Sequence, residues 1–147
     1  MLLSFALPAT AIAADLSEEV AVREARAFLD DQDHGRAGSA YDRFTPAMKT
    51  QMPFAAWENL IEDLAAAPTR KIIATTIYDT PNGRFIAVDH AGPTTEGGVA
   101  CGYVVVTDGG AISRSEYNVV PGVLYAASSP ARRRALETAI GCKATVQ

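Results

Sequence analysis

The stretch VAVREARAFLDDQDHGRAGSAYDRFTPAMKTQMPFAAWENLIEDLAAA, residues 20–67, decides how the rest of the chain must fold. Ala21, Ala25, Phe28 and Leu29 recur at helical spacing, while Arg23, Glu24 and Arg26 fall mainly elsewhere; this predicts an amphipathic helix with one buried stripe. Upstream, Asp15-Leu16-Ser17-Glu18 has capping-box form, an oxygen-bearing cap with a glutamate three residues on. Gly35 can take the left-handed conformation that closes a helix, which puts the end near Asp33. Residues 37–44 read as a short helix turning Tyr41 and Phe44 inward, weakened by Gly38. Thr45 then caps another piece, and Pro46 sits at its first position, where a missing amide costs nothing. After Pro53, the residues Phe54, Trp57, Leu60, Ile61 and Leu64 form a third helical stripe that Pro68 ends.

Beyond this stretch the period changes. Residues 70–79 are rich in Ile and Thr, and Asn82-Gly83 signals a tight hairpin before a strand over 84–90. Residues 91–98 read as a polar, glycine-rich loop. Residues 99–107 are almost continuously apolar, the mark of a central strand covered on both faces. Asp108-Gly109-Gly110 turns the chain into a fourth strand over 112–120. Pro121-Gly122 breaks the sheet, and Ser129-Pro130 opens a last helix presenting Leu136 and Ile140 and ending at Gly141. Helices followed by strands predict an α+β fold: N-terminal helices on one face of a curved antiparallel sheet of about four strands, with a short C-terminal helix. Arg132, Arg133 and Arg134 occupy the first turns of that last helix, the unfavourable end for cations, which suggests a solvated face, a nearby carboxylate cluster or an acidic partner.

Residues 1–14 carry no charge and are built from Leu, Phe, Ile and small side chains. Ala11-Ile12-Ala13 supplies a small-x-small pattern, so a secretory leader cut near Ala13 or Ala14 is expected, followed by one domain over 15–147. No Lys or Arg precedes its apolar core, so the true start of the protein could lie upstream. The expected location is periplasmic or secreted, with no membrane span once the leader is removed. The two cysteines, Cys101 and Cys142, read as one disulfide in an oxidising compartment, contributing roughly 3–4 kcal/mol in the chain-entropy model. Two unrelated buried thiols are the alternative. A formal net charge of −4 argues against nucleic acid, which demands a basic face.

Motifs for chemistry are sparse. The chain has no P-loop, dinucleotide fingerprint, HExxH or GxSxG, and no cofactor or metal site is expected. His34 and His90 each follow an aspartate, but neighbours on a strand point to opposite faces, so Asp89 is badly placed to orient His90. Asp30, Asp31 and Asp33 lack the oxygen spacing of a calcium loop. If a pocket exists, its expected lining is Tyr41 and Trp57 from the helices with Tyr103, Tyr78 or Tyr117 from the sheet; at these spacings the same aromatics also suit a core. Glu116 alternates with Arg114 and Asn118 on one strand face, which reads as solvated.

Phe28-Leu29-Asp30, Asp33-x-Gly35, Tyr41-Asp42-x-Phe44-Thr45-Pro46-x-Met48-Lys49 and Trp57 together resemble the family of small exported bacterial proteins catalogued as domain of unknown function 4019. The likeness covers mainly residues 20–67. That family's later half commonly carries a tryptophan strand after a glycine turn, and residues 111–120 have none; the arginine-rich tail with Cys142 also looks like an addition. The resemblance implies export and a small α+β fold, and no activity. The element order is also similar to the nuclear-transport-factor-2-like cone, a likeness of fold alone. The expectation is therefore a non-enzymatic exported domain that binds a protein partner or a small apolar ligand. The alternatives are a pocket enzyme moving a proton or hydrolysing an apolar substrate, and a subunit of an envelope assembly.

Overall fold

The computed structural model describes residues 15–144 and 146. The expected leader over 1–14 and its cut near Ala13 or Ala14 lie outside the described residues. The first helix, α1 (Glu18–Asp33), opens at Ser17, whose Oγ accepts from the Val20 amide at 3.2 Å. Ser17 rather than Asp15 is thus the cap. The shift has a tertiary cause: Leu16 is buried and its carbonyl accepts from Arg84 of the sheet, which holds residues 15–16 against the core before the helix starts. α1 buries Ala21, Ala25, Phe28 and Leu29, and Gly35 follows it at a φ of 68°.

Three shorter helices complete this layer: α2 (Ala37–Asp42), α3 (Pro46–Gln51) and α4 (Phe54–Asp63). Thr45 caps α3, accepting from the Met48 amide at 3.2 Å. In α4 only Trp57 and Ile61 are buried, with Leu64 half-buried just beyond; Phe54 and Leu60 face outward. So short a helix at the margin of the layer buries one edge, and the five-residue stripe narrows to an i, i+4 pair. Phe54 is not idle, since its ring meets Tyr41 edge-on at 5.2 Å.

The four strands, β1 (Lys71–Thr80), β2 (Gly83–Pro93), β3 (Val99–Thr107) and β4 (Ile112–Val120), form an antiparallel meander in the order β1-β2-β3-β4. Thr80 pairs with Gly83, so the tight turn is centred on Pro81-Asn82, one residue earlier than Asn82-Gly83. The loop expected over 91–98 is shorter, because Ala91, Gly92 and Pro93 continue β2 by pairing with Cys101, Ala100 and Val99. Pro93 is tolerated there as the last residue of its strand. A 3-10 turn at Asp108–Gly110 leads into β4.

Ile86, Val88, Val104, Val106 and Ile112 point from the sheet to the helices and share one core with Phe28, Phe44 and Trp57. Those three rings pack with centroids 4.9 to 5.8 Å apart. The opposite face is covered only in part. Ala91, Val99 and Cys101 pack there against Tyr125, Ile140 and Cys142. The covering segment contains a short helix that the sequence did not signal, α5 (Gly122–Ala126), and α6 (Pro130–Ala139), capped by Ser129. Cys101 and Cys142 are joined by a disulfide with a Cα–Cα distance of 5.2 Å, inside the usual range.

The inward residue of α6 is a surprise. Leu136 and Ile140 are half-buried, while Glu137 is the side chain this helix buries. Its carboxylate accepts from the Tyr125 hydroxyl at 2.7 Å and the Val146 amide at 3.4 Å, which offsets the cost of burial. Arg133 donates to the carbonyls of Tyr125 and Ala126 and lies 4.8 Å over the Tyr125 ring, closing the end of α5. One of the three consecutive arginines is therefore structural; Arg132 and Arg134 stay exposed.

Candidate functional site

Two regions gather polar chemistry, one on each face of the sheet. On the helix side, at the end of the sheet crossed by the α4–β1 connection, Asp33 and Arg70 form a buried ion pair with side chains only 3% and 5% exposed. Asp33 also accepts from the Ala67 amide at 3.0 Å, tying the connection to the end of α1. The Arg70 guanidinium lies 4.9 Å over the Tyr117 ring and approaches His90 Nδ1 at 3.1 Å. Tyr117 donates to the Ala65 carbonyl.

His90 is 2% exposed. Burial, then the Arg70 charge, lowers its pKa from 6.5 to about 3, so the imidazole is neutral. Arginine can only donate, so Nδ1 accepts and the proton sits on Nε2. That Nε2 has no hydrogen-bond partner among the described residues. The ring has room because its neighbour across the sheet is Gly102: a Cβ there would stand 3.2 Å from His90 Cε1 and 1.9 Å from the Glu116 carbonyl oxygen. Asp89 faces the other way and pairs with Lys143 at 2.8 Å. The acids at the end of α1 are likewise taken up by arginines. Asp30 meets Arg36, and Asp31 meets Arg36 at 2.8 Å and Arg43 at 3.0 Å. Burial alone would raise the Asp31 pKa, but those two hydrogen-bonded guanidiniums outweigh it and hold the carboxyl below its usual range. Among the described residues, no group of three His, Cys, Asp or Glu is placed to hold a metal.

The outer face carries a cleft of about 450 Å³ between the sheet and the segment following α6. Ala87 and Val105 form its floor, Tyr78, Tyr103 and Ile140 its walls, and Asp89, Lys143, Arg114 and Glu116 its rim. The register builds it: Ala87 and Val105 are direct partners, and the small alanine leaves a depression between larger neighbours. Tyr103 is held in place, donating to Glu116 at 2.9 Å with Arg114 5.7 Å above its ring. Burial and then the Glu116 carboxylate push its phenol above the ordinary value. The hydrogen bond to Asp89 raises the Lys143 pKa, so the ammonium stays charged at neutral pH.

The aromatic residues anticipated as one lining do not meet. Trp57 is buried and donates to the Ala37 carbonyl at 3.0 Å, and Tyr41 donates to the Met52 carbonyl at 3.0 Å, both within the helix-side core. Tyr103 lies on the other face with Tyr78, and Tyr117 belongs to the buried cluster. Arg70 and Lys143 were not legible as site residues. Gly102, a glycine inside an otherwise apolar strand, is a further sequence signal for the cluster, since such a glycine marks a close approach.

The fold and the cleft define a small α+β domain, disulfide-closed, with one sheet face left partly open. No family model, no curated protein and no solved structure matches the chain. Among the described residues no helix is long and apolar enough to cross a membrane.

Proposed function

We propose that this protein is an exported, non-enzymatic binding domain whose outer-face cleft holds a small apolar ligand or an apolar side chain of a protein partner. The observation that carries the reading is the contrast between the two faces of the sheet. The helix side is filled by Phe28, Phe44 and Trp57, whereas the outer side keeps an apolar floor at Ala87 and Val105 between two tyrosines. An apolar floor with a few polar tips is the usual form of a small-molecule site. The rim charges are paired with one another, Asp89 with Lys143 and Arg114 with Glu116 at 3.5 Å, which suits a neutral occupant. Export is supported by the disulfide, which persists in oxidising compartments. The shared order of helix, glycine break, aromatic and tryptophan helix supports placing the chain beside the exported bacterial family it resembles.

The test is native mass spectrometry on protein made with its own leader and recovered from the periplasm, alongside an Ala87→Trp variant. An extra mass on the wild type that disappears when the floor is filled supports the reading. A bare protein that also binds no partner through this face overturns it.

A further inference from the structure

The two edges of the sheet are treated differently. β4 is tied down at its first residue, where the Thr45 amide donates to the Ile112 carbonyl at 2.9 Å and the Ile112 amide donates to the Arg43 carbonyl at 2.8 Å, and further along it carries the charged Arg114 and Glu116. β1 pairs with β2 alone, and among the described residues no backbone hydrogen bond from outside the sheet reaches it. An open row of amides and carbonyls on a ten-residue strand is a template for another strand. The devices that usually blunt an edge guard only its ends. Lys71 and a bulge between Ile72 and Ala74 protect the beginning, and Asp79, at the other end, is neutralised by Arg84 at 2.7 Å. The five residues between, Ala74-Thr75-Thr76-Ile77-Tyr78, hold no charge, glycine or proline. Within them Ile77 is 44% and Tyr78 52% exposed, on opposite faces of the strand.

We propose that β1 is the interface between two copies of this chain, paired antiparallel about a two-fold axis at Ile77 into one eight-stranded sheet. Antiparallel partners point to the same face, so a two-fold pairing must match residues of equal parity. Centring on Ile77 does this throughout the regular part of the strand: Ile77 meets Ile77, Thr76 meets Tyr78, and Thr75 meets Asp79 of the second copy. Aromatic against β-branched is a favourable cross-strand pair. Each carboxylate brought together at the ends of the pairing keeps a partner in its own chain, Glu18 the Thr75 hydroxyl and Asp79 the Arg84 guanidinium. The bulge at Ile72–Ala74 then limits the pairing to the outer half of β1 and keeps further copies from sliding into other registers. The pairing stands whether or not the outer cleft holds a ligand.

Sedimentation equilibrium of the full, disulfide-closed protein across the micromolar range tests it. The expected result is twice the mass of one chain for wild type, and association weakened no less than roughly ten-fold by Ile77→Lys, which sets like charges opposite each other on the axis. Ile77→Lys should leave the unfolding midpoint of the monomer unchanged. An independent variant, Ile77→Cys, should cross-link under mild oxidation through position 77 alone, since that position faces itself. A monomer at every concentration overturns the proposal, as does a dimer indifferent to Ile77→Lys or a dimer in which Ile77→Cys fails to cross-link. A chain that stays monomeric but captures an extended peptide along β1 also overturns it, in favour of a heterologous strand.

Discussion

Acidification should weaken this protein from about pH 6.5 downward, and His90 is the reason. In the folded chain the imidazole is buried beside the Arg70 guanidinium with a pKa of about 3; released into the unfolded chain it returns to 6.5. The unfolded state therefore binds a proton that the folded state refuses between those values. Stability from this group is complete above pH 6.5, declines as pH falls, and is exhausted below the folded value. Integrated from about pH 7 to about pH 4, the loss is about 3 kcal/mol, a large part of a small domain's total. Asp31 does not confuse the reading: its carboxyl is lowered from 3.8, so its own stabilisation fades only at more acid pH. Urea unfolding followed by the fluorescence of the single tryptophan, buried Trp57, at several pH values would measure the slope. His90→Gln keeps an acceptor for Arg70 but cannot titrate, and it should flatten the wild-type decline between pH 6.5 and pH 4. If His90→Gln loses as much stability as wild type over that range, the buried neutral imidazole is refuted as the cause.

Three further outcomes follow from particular contacts. Removing the disulfide with Cys101→Ala and Cys142→Ala should cost up to about 4 kcal/mol in the chain-entropy model, with hydrogen exchange rising first in α5 and α6. Gly102→Ala should destabilise by about 2 kcal/mol or more, visible as a lowered melting temperature, because its Cβ would fall 1.9 Å from a backbone oxygen that cannot step aside. Asp33→Asn should cost about 3 kcal/mol by leaving the Arg70 charge buried with half its partner; a double-mutant cycle with Arg70→Met should show strong coupling between the two.

Local chemistry was the part of this fold that the chain announces. Thr45-Pro46 and Ser129-Pro130 start helices because a hydroxyl cap and a proline act within three residues, and the structure places them as read. The first cap slipped from Asp15 to Ser17 once a distant residue, Arg84, entered the account. The same distance hides the sites. Arg70 finds Asp33 from 37 residues away, and Lys143 finds Asp89 from 54. Glu137 reads as a surface residue until the Tyr125 hydroxyl, 12 residues earlier, is brought beneath it. Tyr103 was singled out together with Tyr41 and Trp57, yet a strand's alternation decides which face each side chain joins, and one step of register separates core from cleft. His90 alone carried enough local information, in its aspartate neighbour, to show that the pair would be split between faces.

The bond between Cys101 and Cys142 also sets how the molecule would respond to tension. Cys101 lies in a central strand, held on one side by Ala91 and on the other by Asn118. A pull on the C-terminal end therefore enters the middle of the sheet and bypasses α6. The 41-residue span between the cysteines is closed to extension, which hides about 140 Å of contour length and leaves β4, α5 and α6 slack. Stretched by its ends, the chain must shear β3 from its neighbours before anything C-terminal to it unravels, and a reducing agent would restore the missing length in a single step.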